Sequence, residues 1–312
     1  MIKDREMSGA RFSGSFGIFA AGTAAERVQR DTGFSDYILG QLWDKYGDFM
    51  PDVQQGHPAK KEAYFYLCFK FIKHAPRPSH VQSTLWTPHT GHISAKTFER
   101  QIQPRLLILG QVMDEVHWTD RLDPMNHCVH WPNSLVGCLD TYPCTVSTPS
   151  VTEASRIFYQ PKYHACVFKV QIIIDLNGRI VYYSVPHLGV TSDTKIWSKT
   201  RPRFNEGEFV LADGAYLSSW HCMVPYKAAD GQELTADEDK VNSLIQLYRA
   251  RVEHVIGLVQ NCELFRSKCR MGIELSVSCV KIFLHATALH LRETSLSTWR
   301  YPSTMLSTPR PH

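Results

Sequence analysis

The chain has 312 residues, 43% of them hydrophobic and 21% charged, which fits a globular protein with one large core or one core plus a smaller domain. Its formal net charge of +4 permits a polyanionic partner, but charge alone does not establish nucleic-acid binding. The nine cysteines are odd in number and include no CxxC pair, which excludes an encoded disulfide framework and a zinc ribbon. No apolar run approaches the length of a membrane span, so we expect no membrane partner.

The first part of the chain is predicted to be helical. Residues 1–33 carry Gly, Ala and Arg without periodicity, which predicts a poorly ordered lead-in. Residues 34–130 favour a small helical region, with helices at 34–46, 60–73 and 94–102 and another starting at Pro104. The segment 92–100 resembles the second helix of a helix-turn-helix, which would direct Lys96 and Arg100 toward DNA. The alternative, weighted equally, is a helical subdomain that only covers the catalytic core.

Strand signals dominate the second part, and residues 131–292 are predicted to form one catalytic domain. A strand at 134–139 ends at Asp140, and strands at 166–174 and 180–185 flank Asn177-Gly178, a strong hairpin signal. A short strand at 209–212 delivers Asp213, and residues 241–262 and 276–291 have helical spacing. This order predicts a mixed α/β layer, and residues 293–312 are predicted to be a flexible tail.

Three acidic residues are the leading candidates for a site. Asp140 and Asp213 each follow an apolar strand, and Glu253 lies on a predicted helix. Carboxylate oxygens are the ligands that Mg²⁺ and Mn²⁺ prefer, and such ions cleave phosphodiesters in two-metal sites. Taken singly, either aspartate could instead cap a turn, and Glu253 could form an exposed pair with Arg249. Gly257, one turn beyond Glu253, indicates a close approach to that helix face.

Several short motifs in a fixed order carry a family resemblance. They are GCLDTYP at 137–143, FYQPKYH at 158–164, GVTSD at 189–193, ADGAY at 212–216, PYK at 225–227 and RARVE at 249–253. In this order they resemble the DDE superfamily endonuclease domain of Harbinger-type transposases over roughly residues 92–290. The resemblance implies an α/β, ribonuclease-H-like mixed sheet flanked by helices, with the small helical region at its N-terminal side.

The resemblance also implies a chemistry. Asp140, Asp213 and Glu253 would hold two divalent ions, Mg²⁺ or Mn²⁺, and activated water would cleave DNA, after which the freed 3′-hydroxyl would join target DNA. A separate Myb-like DNA-binding protein and self-association are further implied partners, and the nucleus is the expected location, with the cytoplasm left open. This chain departs from the family at Gln260, where a lysine is usual, and at Ala286, where an asparagine is usual.

Four other charged residues enter as secondary candidates, and a fifth, Asp175, is assigned to a turn. Asp193 precedes a predicted helix and is interpreted as a helix cap before a metal or substrate ligand. Lys162 and Lys169 could reach the DNA backbone from the edge of the hairpin, although lone strand lysines are usually solvated or protect an edge. Arg249 is a candidate DNA contact on the helix of Glu253, and Asp175 is predicted to be a turn residue.

Two functions from different classes follow. The first is a metal-dependent DNA endonuclease or transposase, which the complete acidic triad favours. The second is a host-retained derivative that binds DNA or protein without cutting, for which Gln260, Ala286 and the modest basic charge leave room. A ribonuclease-H-like nuclease for RNA–DNA hybrids is a third possibility, and only its substrate would separate it from the first.

Overall fold

The computed structural model describes residues 24–53, 60–76, 80–85, 93–113, 134–148, 152–230, 232–266 and 272–293, together with Val116, Trp118 and Arg121. Segments 1–23 and 294–312, which contain most of the expected lead-in and tail, lie outside the described residues. The described helices are α1 Ala24–Thr32, α2 Asp36–Tyr46, α3 Lys61–His74, α4 Val81–Thr84, α5 Ala95–Thr97, α6 Gln103–Val112, α7 Thr152–Phe158, α8 Asp193–Thr200, α9 Ala236–Gln260, α10 Glu263–Arg266 and α11 Ile273–Glu293.

Helix α1 corrects the expectation of a disordered lead-in as far as residues 24–32 are concerned. Its Val28 is 2% exposed and packs in the main core. Asp31 accepts hydrogen bonds from the Tyr66 hydroxyl at 2.7 Å and from Lys70 Nζ at 2.9 Å, both on α3. Tertiary packing therefore stabilises a short helix whose sequence shows no sustained periodicity.

The helices expected at 94–102 and after Pro104 are continuous. A π-helical segment, Phe98–Ile102, joins α5 directly to α6. Proline has no N–H and its ring clashes with the carbonyl four residues earlier, and a wider π turn accommodates both effects. No turn separates the two segments, and α6 packs against α11 where the missing Cβ of Gly110 would lie 2.5 Å from Ser278 Cβ. The helix-turn-helix and the covering subdomain both stay predictions, because segment 86–92, where the turn before the second helix would lie, is outside the described residues.

A mixed seven-stranded sheet forms the centre of the fold. Its strands are β1 Leu135–Thr145, β2 Tyr159–Gln160, β3 Ala165–Ile174, β4 Ile180–Tyr183, β5 His187–Leu188, β6 Phe209–Leu211 and β7 Cys222–Met223. The strand order is β2-β3-β1-β6-β7, and β4 and β5 also pair with β3. Strands β1 and β3 are antiparallel, whereas β1–β6 and β6–β7 are parallel. This confirms the α/β, ribonuclease-H-like mixed sheet flanked by helices.

The β3–β4 hairpin forms where the sequence predicts it. Gly178 has φ +79°, a left-handed conformation that glycine adopts without strain. Asp175 Oδ1 accepts hydrogen bonds from the backbone N–H groups of Asn177 and Arg179, each at 2.9 Å. Its Oδ2 pairs with the Arg179 guanidinium at 2.7 Å, so Asp175 is a turn residue as predicted.

The two faces of the sheet bury different cores. The larger core lies between the sheet, α9, α11 and the N-terminal helices, so the helical region shares its core with the sheet. The smaller core lies on the opposite face and includes Leu139, Tyr182, Trp197 of α8 and Tyr216. Helix α11 is long and apolar enough to span a membrane by length and composition, yet it is mostly buried within the protein.

Gly137 is the position in β1 where the chain leaves no room for a side chain. A Cβ there would lie 1.9 Å from the carbonyl oxygen of Ile174 on β3. We expect Gly137→Ala to lower the free energy of unfolding by about 3 kcal/mol, because backbone must shift to relieve the contact. Chemical denaturation measures this value.

Gly257→Ala on α9 is the matched control, since a Cβ there would meet nothing within 4 Å. This variant should be neutral, or more stable by up to about 1 kcal/mol, because alanine favours helix over glycine. Equal destabilisation by both substitutions would contradict the packing described for β1.

Candidate active site

Asp140 lies inside β1, although the sequence predicts it at the end of a strand. The strand continues to Thr145 because residues beyond Asp140 still pair with β3. Side chains alternate along a strand, so Asp140 shares a face with Cys138 and Tyr142, both part of the larger core. The side chain is partly buried, and its Oδ1 accepts a hydrogen bond from the Thr141 N–H at 2.8 Å.

Asp213 reaches the same level of the sheet from the neighbouring parallel strand. Cys138 of β1 pairs with Leu211 of β6, so each aspartate follows that matched pair by two residues. Asp213 Oδ1 accepts the Ala215 N–H at 2.9 Å and caps the 3₁₀ turn Gly214–Tyr216. The capping role considered from the sequence is therefore present, and it engages one of the two carboxylate oxygens.

Glu253 projects from α9, which packs against β1, β3 and β6. This helix starts with a capping box, in which Thr235 and Glu238 satisfy each other's backbone N–H groups. Glu253 is exposed, and within the described residues it forms no ion pair with Arg249. The exposed Arg–Glu pair considered from the sequence is thus not formed.

The three carboxylates interact electrostatically. Burial raises the pKa of Asp140 above its ordinary value, and the negative charges of Asp213 and Glu253 raise it further. The Thr141 N–H and the positive charge of Arg249 act in the opposite direction. Strand pairing and helix packing therefore bring Asp140, Asp213 and Glu253 to one region of the protein.

Their donor chemistry suits a hard divalent cation, although the carboxylates do not form a closed cage. Among the described residues, no three His, Cys, Asp or Glu side chains are gathered closely enough to hold a metal ion together. The negative charges of Asp213 and Glu253 nevertheless raise the pKa of Asp140, and a cation bound between the carboxylates would relieve this repulsion. The carboxylates supply the type of oxygen ligand that Mg²⁺ and Mn²⁺ prefer, and substrate and water would have to complete the coordination of an ion held there.

Lys169 and Asp193 form a partly buried ion pair beside this region. Lys169 Nζ lies 3.1 Å from Asp193 Oδ1 and donates to the Thr191 carbonyl at 3.0 Å, and its side chain is 6% exposed. Lys169 is therefore not the solvated or edge residue expected from the sequence, because β3 has neighbours on both sides. Asp193 is not the helix cap either, because the Ser192 side chain accepts from the Lys195 N–H and caps α8.

A buried polar network lies beneath the two aspartates, on the opposite face of the sheet. The Tyr216 hydroxyl is 2.6 Å from Thr141 Oγ1 and accepts from Gln171 Nε2 at 2.8 Å. Gln171 Nε2 also donates to the Asp193 carbonyl at 2.8 Å. Burial raises the pKa of Tyr216, and the charges of Asp193, Asp140 and Asp213 contribute in the same direction. Thr141 and Tyr216 thus link the segments that carry Asp140 and Asp213.

The sequence interpretation did not identify Thr141, Gln171 and Tyr216 as site residues. A signal was available at Gln171, because a fully buried glutamine interrupts the apolar run of β3. Burying an amide costs free energy unless it is hydrogen-bonded, so a polar residue in such a strand indicates a partner across the sheet.

Three of the four remaining DNA-contact candidates are exposed. Lys162 lies in a 3₁₀ turn after β2, and Lys96 and Arg100 lie on the continuous helix formed by α5 and α6. Arg249 is half-buried near Asp140, and its Nε is buried without a hydrogen-bond acceptor among the described residues. The close approach expected at Gly257 is absent, since no described atom lies within 4 Å of the Cβ position. DNA contacts by these residues stay predictions.

We expect Thr141→Val and Tyr216→Phe each to lower the free energy of unfolding by about 1–2 kcal/mol, because each leaves a buried polar partner unpaired. The double variant should lose less than the sum by at least about 0.5 kcal/mol. Chemical denaturation of the four proteins gives this coupling directly.

Tyr182→Phe provides the control for this cycle. Its hydroxyl donates to the Thr200 carbonyl within the same smaller core, away from Thr141. Combined with Thr141→Val, it should be additive within about 0.5 kcal/mol. If Thr141→Val and Tyr216→Phe were additive as well, this result would contradict the hydrogen bond described between Thr141 and Tyr216.

Comparison with known proteins agrees with this geometry. Residues 139–290 match the family model described as DDE superfamily endonuclease. No curated protein and no solved structure matches the chain. The matched segment starts one residue before Asp140, includes Asp213 and Glu253, and extends into α11. Over this segment, the chain is similar to the DDE superfamily endonucleases.

Proposed function

We propose that the protein is a metal-dependent DNA endonuclease of the Harbinger transposase type, which cleaves element ends and joins them to target DNA. The observation that carries this proposal is the register of β1 with β6, which sets Asp140 and Asp213 at one level of the sheet where α9, the helix of Glu253, packs, within the segment that matches the family. Three acidic residues from β1, β6 and α9 converge only through tertiary structure, so their proximity is not a consequence of local sequence.

Asp140, Asp213 and Glu253 would hold two divalent ions, Mg²⁺ or Mn²⁺. When bound, such ions activate the attacking water and stabilise the leaving oxygen. The protein's own groups set the geometry: the pairing of β1 with β6 fixes the two aspartates at the same level of the sheet, and Glu253 is exposed on α9. Arg249 adds a positive charge near Asp140, which favours the ionised carboxylate that metal binding requires.

DNA is the proposed substrate and partner. Three exposed basic residues can contact phosphate, namely Lys162, Lys96 and Arg100. The ammonium group of Lys169 is bound to Asp193 and to the Thr191 carbonyl, so its effect on DNA would be indirect, through the position of these two residues. The modest net charge of +4 supports a separate Myb-like DNA-binding protein that would supply part of the DNA binding. We also propose that the protein associates with itself. We propose the nucleus as its location, because its DNA substrate would lie there, and the cytoplasm stays open as a second location.

A non-cleaving, host-retained derivative is the second candidate. Two observations favour it: the acidic residues do not form a closed ligand set within the described residues, and Gln260 replaces the expected lysine. This candidate keeps DNA or protein binding and loses strand cleavage.

We expect purified protein with Mn²⁺ or Mg²⁺ to nick DNA that carries the terminal repeats of its element. Glu253→Gln should reduce nicking below detection while DNA binding persists, because the amide loses the charge that holds a divalent ion. Gel assays of nicking and fluorescence anisotropy of binding measure the two activities separately.

Asp239→Asn is the matched control, since Asp239 is an exposed acidic residue in the first turn of the same helix. It should nick like the wild-type protein. Metal-independent nicking, or full activity of Glu253→Gln, would contradict the endonuclease assignment, and DNA binding without nicking would support the second candidate. Cleavage restricted to RNA–DNA hybrids would identify the ribonuclease-H-like alternative.

A further inference from the structure

The segment Tyr226–Lys227 leaves the sheet at the same edge as Asp213. Strand β7 is parallel to β6, with Val210 paired to Cys222 and Leu211 to Met223. Both strands therefore end at one side of the sheet, and the residues after β7 return to the region of the acidic cluster. Nothing in the acidic chemistry described above uses this segment.

An asparagine on α9 holds this segment in place. The Tyr226 N–H donates to Asn242 Oδ1 at 2.8 Å, and Asn242 Nδ2 donates to the Tyr226 carbonyl at 3.0 Å. One side-chain amide thus satisfies both backbone groups of Tyr226, as a neighbouring strand would. Because Asn242 and Glu253 lie on the same helix, the position of Tyr226 is tied to that of the candidate glutamate.

Lys227 extends from this anchored residue across the backbone of Gly214, next to Asp213. The Cβ that Gly214 lacks would lie 3.3 Å from Lys227 Cε and 3.6 Å from Nζ. Glycine therefore provides the space that the lysine side chain occupies. Lys227 is exposed, and within the described part of the chain no carboxylate forms an ion pair with its ammonium group.

The Tyr226 side chain is also accessible, with 46% of the residue exposed. An aromatic ring beside an unpaired ammonium is a combination suited to a nucleic-acid strand, because the ring can stack on a base while the cation contacts the phosphate. The Asn242 amide holds the backbone of Tyr226, so the adjoining Lys227 starts from a fixed position. A lysine on a flexible surface segment would lack this constraint.

We propose that Tyr226 and Lys227 form a DNA-backbone contact on the Asp213 side of the active site. Lys227 Nζ binds a phosphate oxygen of the strand being cleaved, and the Tyr226 ring packs against the adjoining nucleoside. Asn242 acts as a positioning residue for both. This inference rests on the proposed function, because it assigns the DNA strand a path along the acidic cluster.

The test uses full-length protein and a fluorescein-labelled DNA duplex, with binding measured by anisotropy across a series of salt concentrations. Lys227→Gln should weaken binding several-fold and reduce the slope of log K against log salt by about 0.9, the value for one lost phosphate contact. Asn242→Ala should weaken binding in the same direction without changing the protein's charge. Lys240→Gln removes an exposed charge near the start of α9, controls for charge loss and should leave the slope unchanged.

Nicking in Mn²⁺ is measured in parallel so that the two proposals fail separately. If the wild-type protein nicks DNA and Lys227→Gln changes neither the slope nor the nicking rate, the proposed contact is wrong and the endonuclease assignment stands. If the wild-type protein binds without nicking, the endonuclease assignment is wrong, and a reduced slope in Lys227→Gln still supports the contact. Equal slope changes in Lys227→Gln and Lys240→Gln would mean that the effect comes from the loss of any positive charge, and this result would overturn the inference.

Discussion

The parallel pairing of β1 with β6 is the constraint on which the site depends. It sets Cys138 opposite Leu211, and this register carries Asp140 and Asp213 to the same level of the sheet. A shift of one residue in either strand would turn one of the carboxylates to the opposite face. Gly137 allows β1 to pass close to the end of β3 on its other side, where any side chain would strike the Ile174 carbonyl. Helix α9 then needs only to pack on that face to bring Glu253 near.

Much of the fold could be predicted from local patterns. The β3–β4 hairpin followed from Asn177-Gly178 between two apolar runs, and the helix of Glu253 followed from its spacing. Predictions that depended on tertiary packing were less successful. Residues 24–32 form a helix through contacts with α3, and Pro104 lies within one continuous helix because a π segment accommodates it. Long-range packing decides both cases, and no local window contains that information.

The acidic triad could be proposed from sequence, whereas its surroundings could not. Lys169 and Gln171 lie on β3, and their partners Asp193 and Tyr216 come from other segments, so these contacts are visible only in three dimensions. Buried polar groups and neighbouring carboxylates both oppose folding unless they are compensated. Their concentration around Asp140 and Asp213 is typical of a site where stability is reduced for function. Gly257 illustrates the opposite error, because open space rather than close packing surrounds it.

The central claim is that Asp140, Asp213 and Glu253 form one cation site although they lie in separate elements. A crystal structure of the protein with Mn²⁺, with data recorded so that anomalous scattering locates the manganese, tests this claim most directly. The account predicts an anomalous peak in contact with both the Asp140 and Asp213 carboxylates, with Glu253 turned toward the same site. Manganese bound only at other acidic residues, or no peak near Asp140 at saturating Mn²⁺, would contradict it.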